Sequence, residues 1–223
     1  MLVRKLIQTL KRIGIKWLMA SLNRDVSGLF LLLNKTYEYV ICKFEGRHSE
    51  RFPYTFILGS EVDVLCYPDD LGNLSYTVKK WLTDKYHHQK WVDVSEELFG
   101  EHALIYIYVC GLNHKYKCLC VDIQTMSAFN MSQDFLSYCL QKRMLSPNGM
   151  CYMNCTQCEI PIRAYELYLH PHKIWHKEYI KGAMSYYDSG ILELACNSNH
   201  ELLKNLKDVI INCSKDIDSS QCP

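Results

Sequence analysis

No stretch of this 223-residue chain is apolar for long. Lys5, Lys11, Arg12 and Lys16 break the N-terminal run, and Asn34-Lys35 closes the run from Leu29 to Leu33. A membrane-spanning helix needs about 20 predominantly apolar residues, so none is expected. Charge of one sign is missing too, since 25 basic residues nearly cancel 24 acidic ones. That balance lacks the basic footprint of a dedicated nucleic-acid binder and favours chemistry at a local site. Absent as well are a GxSxG elbow, an HExxH helix and a Walker-type phosphate loop. There is no internal repeat and no low-complexity segment. No secretory signal is recognisable, which points to a cytoplasmic protein with reduced thiols.

What the chain does have is twelve cysteines. Cys42, Cys66 and Cys110 lie inside apolar runs, where cysteine serves as a small hydrophobe. The first twenty-two residues have the pattern of a basic amphipathic helix, with Leu2, Leu6, Leu10, Ile13 and Trp17 at three- and four-residue spacings. Such a helix packs on the domain or makes peripheral contact with a membrane surface.

Hydrophobic periodicity then divides the chain. Helices are expected at Val3 to Ser21 and Val26 to Asn34, followed by a strand at Tyr39 to Phe44. An apolar run from Thr55 to Leu58 leads into strict alternation over Glu61 to Tyr67. A helix over Leu74 to Tyr86 precedes strands at Ala103 to Cys110 and Lys117 to Gln124, with Asn113-His114-Lys115 as the turn between them. Beyond Ser132 to Met144 the spacing predicts helices at Ile160 to Leu169, His172 to Tyr187 and Asn199 to Asn212. This order is that of an α+β fold, a mixed β-sheet flanked by helices with a helical C-terminal part. The expected organisation is an N-terminal helical segment (1–36), a sheet domain (37–130), its helical C-terminal part (131–213) and a frayed tail (214–223).

Residues two apart on a strand share a face, so Glu61 and Asp63 project together while Val62 and Val64 point to the core. Two carboxylates side by side repel unless a cation lies between them, a role suited to Mg²⁺. Asp122, flanked by Val121 and Ile123, supplies a third acid on a strand of the same character. Three such acids can hold ions that clamp the attacking and leaving oxygens of a phosphoryl or nucleotidyl transfer. The plainer alternative is a strand edge whose acids are simply solvated.

The run Gly59-Ser60-Glu61-Val62-Asp63-Val64-Leu65, with Val121-Asp122-Ile123, resembles the signature of the polymerase-beta-like nucleotidyltransferase superfamily. It is most similar to nucleotidyltransferase-like proteins associated with bacterial polysaccharide genes. The resemblance spans about Tyr37 to Tyr187. It implies a nucleotidyltransferase-like sheet with Glu61, Asp63 and Asp122 as catalytic Mg²⁺ ligands and Gly59 and Ser60 beside a nucleoside triphosphate. Lys173 and Lys177, with His172, would lie on a helix facing the triphosphate. The partners implied are a nucleoside triphosphate and a small hydroxyl or phosphate acceptor, such as a sugar or polyol derivative. Glu stands at position 61 where the family usually has Asp, and Gly59-Ser60 abut the acidic pair without the family's spacer. A catalytically inactive binding or scaffold domain is therefore the alternative.

Cys151, Cys155 and Cys158 have the spacing that holds a four-iron cluster in radical S-adenosylmethionine enzymes, but the helical sequence after them does not suit that fold. The same thiolates with His170, His172 or His176 as the fourth ligand would suit Zn²⁺ in an interaction module. An ordinary hairpin pairing residues 149–153 with 158–162 is the third possibility. For the helix that follows, the plainer expectation is an exposed basic face with Ile174 and Trp175 inward.

Overall fold

The computed structural model describes residues 14–44, 50–111, 114–197 and 199–218. Its elements in chain order are α1 (Ser27–Thr36), β1 (Tyr39–Cys42), β2 (Ser60–Cys66), α2 (Leu71–Tyr86), β3 (Val92–Phe99), β4 (His102–Cys110) and β5 (Lys115–Gln124). They continue with α3 (Gln133–Lys142), β6 (Met144–Leu145), β7 (Tyr152–Met153), α4 (Thr156–Leu169), α5 (Ile174–Gly182), α6 (Ser189–Cys196) and α7 (His200–Asp218). Seven strands form one mixed sheet in the order β3-β4-β5-β2-β1-β7-β6. The β5–β2 and β1–β7 pairs are parallel and the others antiparallel. The α+β expectation, a mixed sheet flanked by helices with a helical C-terminal part, holds.

Period-two alternation sorts the side chains onto two faces. Val62 and Val64 of β2, Val121 and Ile123 of β5, and Ala103, Ile105, Ile107 and Val109 of β4 are buried on the first. This face is covered by α1 and α2 through Leu29, Phe30, Leu33, Leu74, Val78 and Leu82. On the second face, Val40, Cys42 and Leu65 join a separate core with α3, α4, α6 and α7. That cover stops short of the β3–β4 half, where Leu104, Tyr106 and Tyr108 are only half-buried. The second face is thus closed at one side and open at the other.

Side-chain caps start two of the helices. The Ser132 side chain caps α3 by accepting from the Phe135 N–H at 3.1 Å, and Asp188 caps α6 by accepting from the Gly190 N–H at 2.8 Å; both are common N-cap residues. In α7 the spacing Leu202, Leu206, Ile210, Cys213 buries one stripe. This helix continues through Asp218, so the tail expected to fray from residue 214 is helical for its first five positions.

Other expectations need correcting. β3 is absent from the predicted strands because Val92–Phe99 carries Asp93, Glu96 and Glu97; it is an edge strand, where charge is at home. The expected hairpin at residues 149–162 is instead the short strand β7 and the start of α4. The helix predicted from His172 to Tyr187 is α5 plus a short 3-10 turn at Met184–Tyr186, and α6 has no counterpart among the predicted helices. Ile174 and Trp175 face outward, 65% and 55% exposed.

Of the N-terminal amphipathic stretch, Leu2, Leu6, Leu10 and Ile13 lie outside the described residues. Residues 14–21 are helical, with Ile15, Leu18 and Met19 against the core and Trp17 70% exposed. Trp17 therefore lies off the inward stripe. Among the described residues no helix is long and apolar enough to cross a membrane.

Candidate active site

The parallel pairing of β2 with β5 sets Glu61 opposite Cys120, Asp63 opposite Asp122 and Leu65 opposite Gln124. All three acids named from the sequence therefore project from the second sheet face, at the edge of its helical cover. Asp122 is buried and Asp63 half-buried, whereas Glu61 is exposed, with the Cys120 thiol hydrogen-bonded to it.

Residues without a sequence motif complete the cluster. The Gln124 amide donates to Asp63 Oδ1 at 2.9 Å and to Asp122 Oδ2 at 2.6 Å, joining the two carboxylates. His102 Nδ1 lies 3.3 Å from Asp122 Oδ1. The Lys43 ammonium sits 3.2 Å from Asp63 Oδ1 and 2.9 Å from Glu166 Oε1, and Lys173 donates to the other Glu166 oxygen at 2.7 Å. Lys43 also lies over the Phe129 ring, 5.3 Å from its centre.

The field of this cluster follows from burial and charge. Burial lifts the Asp122 carboxyl to about 6, helped by the neighbouring Asp63 charge and opposed by His102. Burial likewise raises Asp63, with Lys43 pulling the other way. Glu166 is pushed up by burial, but Lys43 and Lys173 outweigh that and hold it down at about 2. The site therefore contains two acids that resist ionisation beside a third that is firmly ionised.

Lys43 is held from behind. Its backbone has a left-handed φ of 57°, uncommon for a side chain of this size. The Lys43 N–H donates to both carboxylate oxygens of Glu159 of α4, at 2.9 and 3.0 Å. Glu159 in turn accepts from Arg163 Nε at 2.9 Å. Arg163 is buried, stacks 3.9 Å from the Tyr179 ring centre and has Nη1 3.4 Å from His176 Nδ1. Burial first and the Arg163 charge second lower the His176 pKa to about 4, so this imidazole is neutral near pH 7.

Gly59 has φ +83 and donates its N–H to the Cys118 carbonyl at 2.8 Å, directly before β2 begins at Ser60. The Ser60 hydroxyl is buried with no hydrogen-bond partner among the described residues. Lys173 reaches the cluster through Glu166. Lys177 instead lines a separate groove with Leu167, Pro171 and Val209.

The zinc set expected from the cysteine spacing is not assembled. Cys151 belongs to the core under α1, Cys155 and Cys158 to the core under the C-terminal helices. His172 is exposed ahead of α5, its ring 5.9 Å from that of His170.

Among the described residues no three His, Cys, Asp or Glu side chains form a group that could hold a metal ion unaided. Mg²⁺ makes a smaller demand, since it is commonly held by one or two carboxylates with substrate phosphates completing its shell. Asp63 and Asp122 are two adjacent carboxylates of that kind, with Gln124, Lys43 and His102 against three of their four oxygens.

Gln124 was legible in principle, because it lies two residues beyond Asp122 and shares its face. Lys43, Glu159 and Arg163 carried no such signal.

Neither a family model nor a curated protein matches the chain. A solved structure that resembles it is the crystal structure of an antigenic nucleotidyltransferase-like protein from Paracoccidioides brasiliensis, 13% identical, covering 87% of this chain and 88% of that chain with a TM-score of 0.46.

Proposed function

We propose that the acidic cluster binds a nucleoside triphosphate with Mg²⁺ and transfers its nucleoside monophosphate to a small hydroxyl or phosphate acceptor. The observation that carries this reading is the register pairing of Asp63 with Asp122 on the half-open sheet face. Asp63 and Asp122 would hold the ion, with Glu61 at its exposed side. The ion would supply charge neutralisation on the phosphates.

The chain's own groups account for the rest. Lys43 and Lys173 would offset triphosphate charge, and Gln124 would keep the two carboxylates oriented. An acceptor hydroxyl attacks the α-phosphorus and pyrophosphate departs, while the hydroxyl proton passes to Asp122. A sugar or polyol acceptor is proposed from the motif's resemblance to polysaccharide-associated proteins.

The second reading is an inactive binding or scaffold domain. It is favoured by the Lys43 ammonium 3.2 Å from Asp63, which already supplies a cation at the acidic pair.

Thermal-shift titration with each nucleoside triphosphate, with and without Mg²⁺, separates the two, because a ligand that binds only the folded state raises apparent stability. The transferase reading expects a shift that needs Mg²⁺ and triphosphate together, little shift with Mg²⁺ alone, and none in Asp63→Asn. No shift with any triphosphate would move the conclusion to the inactive domain.

A further inference from the structure

The cysteine cluster lies outside the chemistry of the acidic site, and two of its members are in contact. Cys155 is the N-cap residue of α4, and Cys158 sits one turn into that helix. Their sulfur atoms are 3.3 Å apart. Cys155 is half-buried, whereas Cys158 is fully buried. The backbone N–H groups of Cys158 and Gln157 also interact with Cys155 Sγ, the Cys158 N–H donating as well to the Cys155 carbonyl at 3.1 Å. On the far side, the Cys139 thiol of α3 hydrogen-bonds with Cys158.

We propose that Cys155 and Cys158 are a redox-active dithiol that closes to a disulfide by exchange with a low-molecular-weight disulfide such as oxidised glutathione. The deprotonated Cys155 sulfur attacks one glutathione sulfur, breaking that S–S bond and releasing one glutathione thiolate. Cys158 then gives up its proton and attacks Cys155 Sγ in the mixed disulfide, releasing the second. Two protein thiols are oxidised, one glutathione disulfide is reduced, and the two protons end on the departing thiolates. Exposure sets the order, because Cys155 is half-buried and Cys158 fully buried, with Cys155 and Cys139 as its thiol neighbours among the described residues.

A bonded pair needs an S–S distance of about 2.05 Å, so closure asks for a shift of little more than one ångström at a helix start. Both thiols are lifted above their ordinary range, Cys155 by its hydrogen bond with Cys158 and then by burial, Cys158 first by its hydrogen bond with Cys139. The thiolate is the attacking species, so closure accelerates as pH rises through the alkaline range.

The test treats the whole protein with oxidised glutathione at alkaline pH, blocks free thiols and measures mass. Trypsin releases residues 144–163 as one peptide carrying Cys151, Cys155 and Cys158. The expected product lacks two hydrogens in that peptide, has two of its three cysteines protected from alkylation, and is restored by dithiothreitol. Cys158→Ser should stop at one bound glutathione on Cys155, and Cys139→Ser should still close. Closure that persists in Cys155→Ser, a Cys139–Cys158 cross-link in its place, or wild-type protein that never loses the two hydrogens would overturn the assignment.

Discussion

Asp63 and Asp122 are register partners on neighbouring parallel strands, and one Gln124 amide nitrogen donates to both. Two acids so placed cannot both ionise freely. Burial and mutual charge raise both, Asp122 to about 6. The folded protein therefore holds these protons more tightly than the unfolded chain does. Their contribution to stability is full below the ordinary carboxyl range and is lost as pH rises through about 6. Asn at position 122 mimics the protonated acid. Asp122→Asn should match wild type near pH 4 and exceed it in stability above about pH 7, as measured by chemical denaturation across that range. A stability difference that does not vary with pH would contradict the raised carboxyl.

Lys43 joins Asp63 to Glu166 with side chains only 12% and 14% exposed. Removing one member of a buried ionic group leaves the others uncompensated and costs about 3–5 kcal/mol. Lys43→Met should lose stability on that scale at neutral pH. The sign follows from Glu166, whose carboxyl Lys43 and Lys173 hold at about 2. A carboxyl lowered on folding contributes stability above its unfolded pKa and loses it as pH falls through the folded one. Without the ammonium that contribution shrinks, so the penalty of Lys43→Met should diminish in acid. Urea titrations of both proteins near pH 3 and 7.5 read this directly, since the Glu166 contribution is lost only below its ordinary carboxyl range.

How much of this was written in the sequence depends on the range of the interaction. Alternation over Glu61 to Leu65 showed which acids share a face, and the flanking Val121 and Ile123 did the same for Asp122. Their adjacency was not legible, because β2 meets β5 only after α2, β3 and β4 have intervened. Lys43 looked like the end of a strand, and its role depends on contacts 116 and 123 residues away. Glu159 and Arg163, four apart on a helix, have the spacing of a solvated ion pair; tertiary packing buries them instead. The start of α4 was hidden by its cysteine- and proline-containing sequence, with Pro161 inside the helix.

Two glycines should respond oppositely to alanine. Gly59 has φ +83 and open space where an alanine methyl would lie, so the penalty at that site is conformational and should be about 1–2 kcal/mol. Gly72 lies in the first turn of α2, also with open space around it. Gly72→Ala removes unfolded-state freedom and should stabilise by about 0.4–1 kcal/mol. Thermal unfolding of the two variants should move in opposite directions from wild type.

Glu159 and Arg163 form an ion pair with side chains 7% and 2% exposed, and the Lys43 backbone hangs from the carboxylate. Arg163→Met would strand the Glu159 charge in the core and should cost about 3–5 kcal/mol. Glu159→Gln keeps an acceptor for the Lys43 N–H but removes the carboxylate charge 2.9 Å from Arg163 Nε, so it should also destabilise. In the double variant neither charge remains buried, and its loss should be smaller than the sum of the single losses. A double-mutant cycle by denaturant titration measures that difference. Strict additivity would mean that the two side chains are not energetically coupled and that Lys43 is held in its left-handed conformation by something other than this pair.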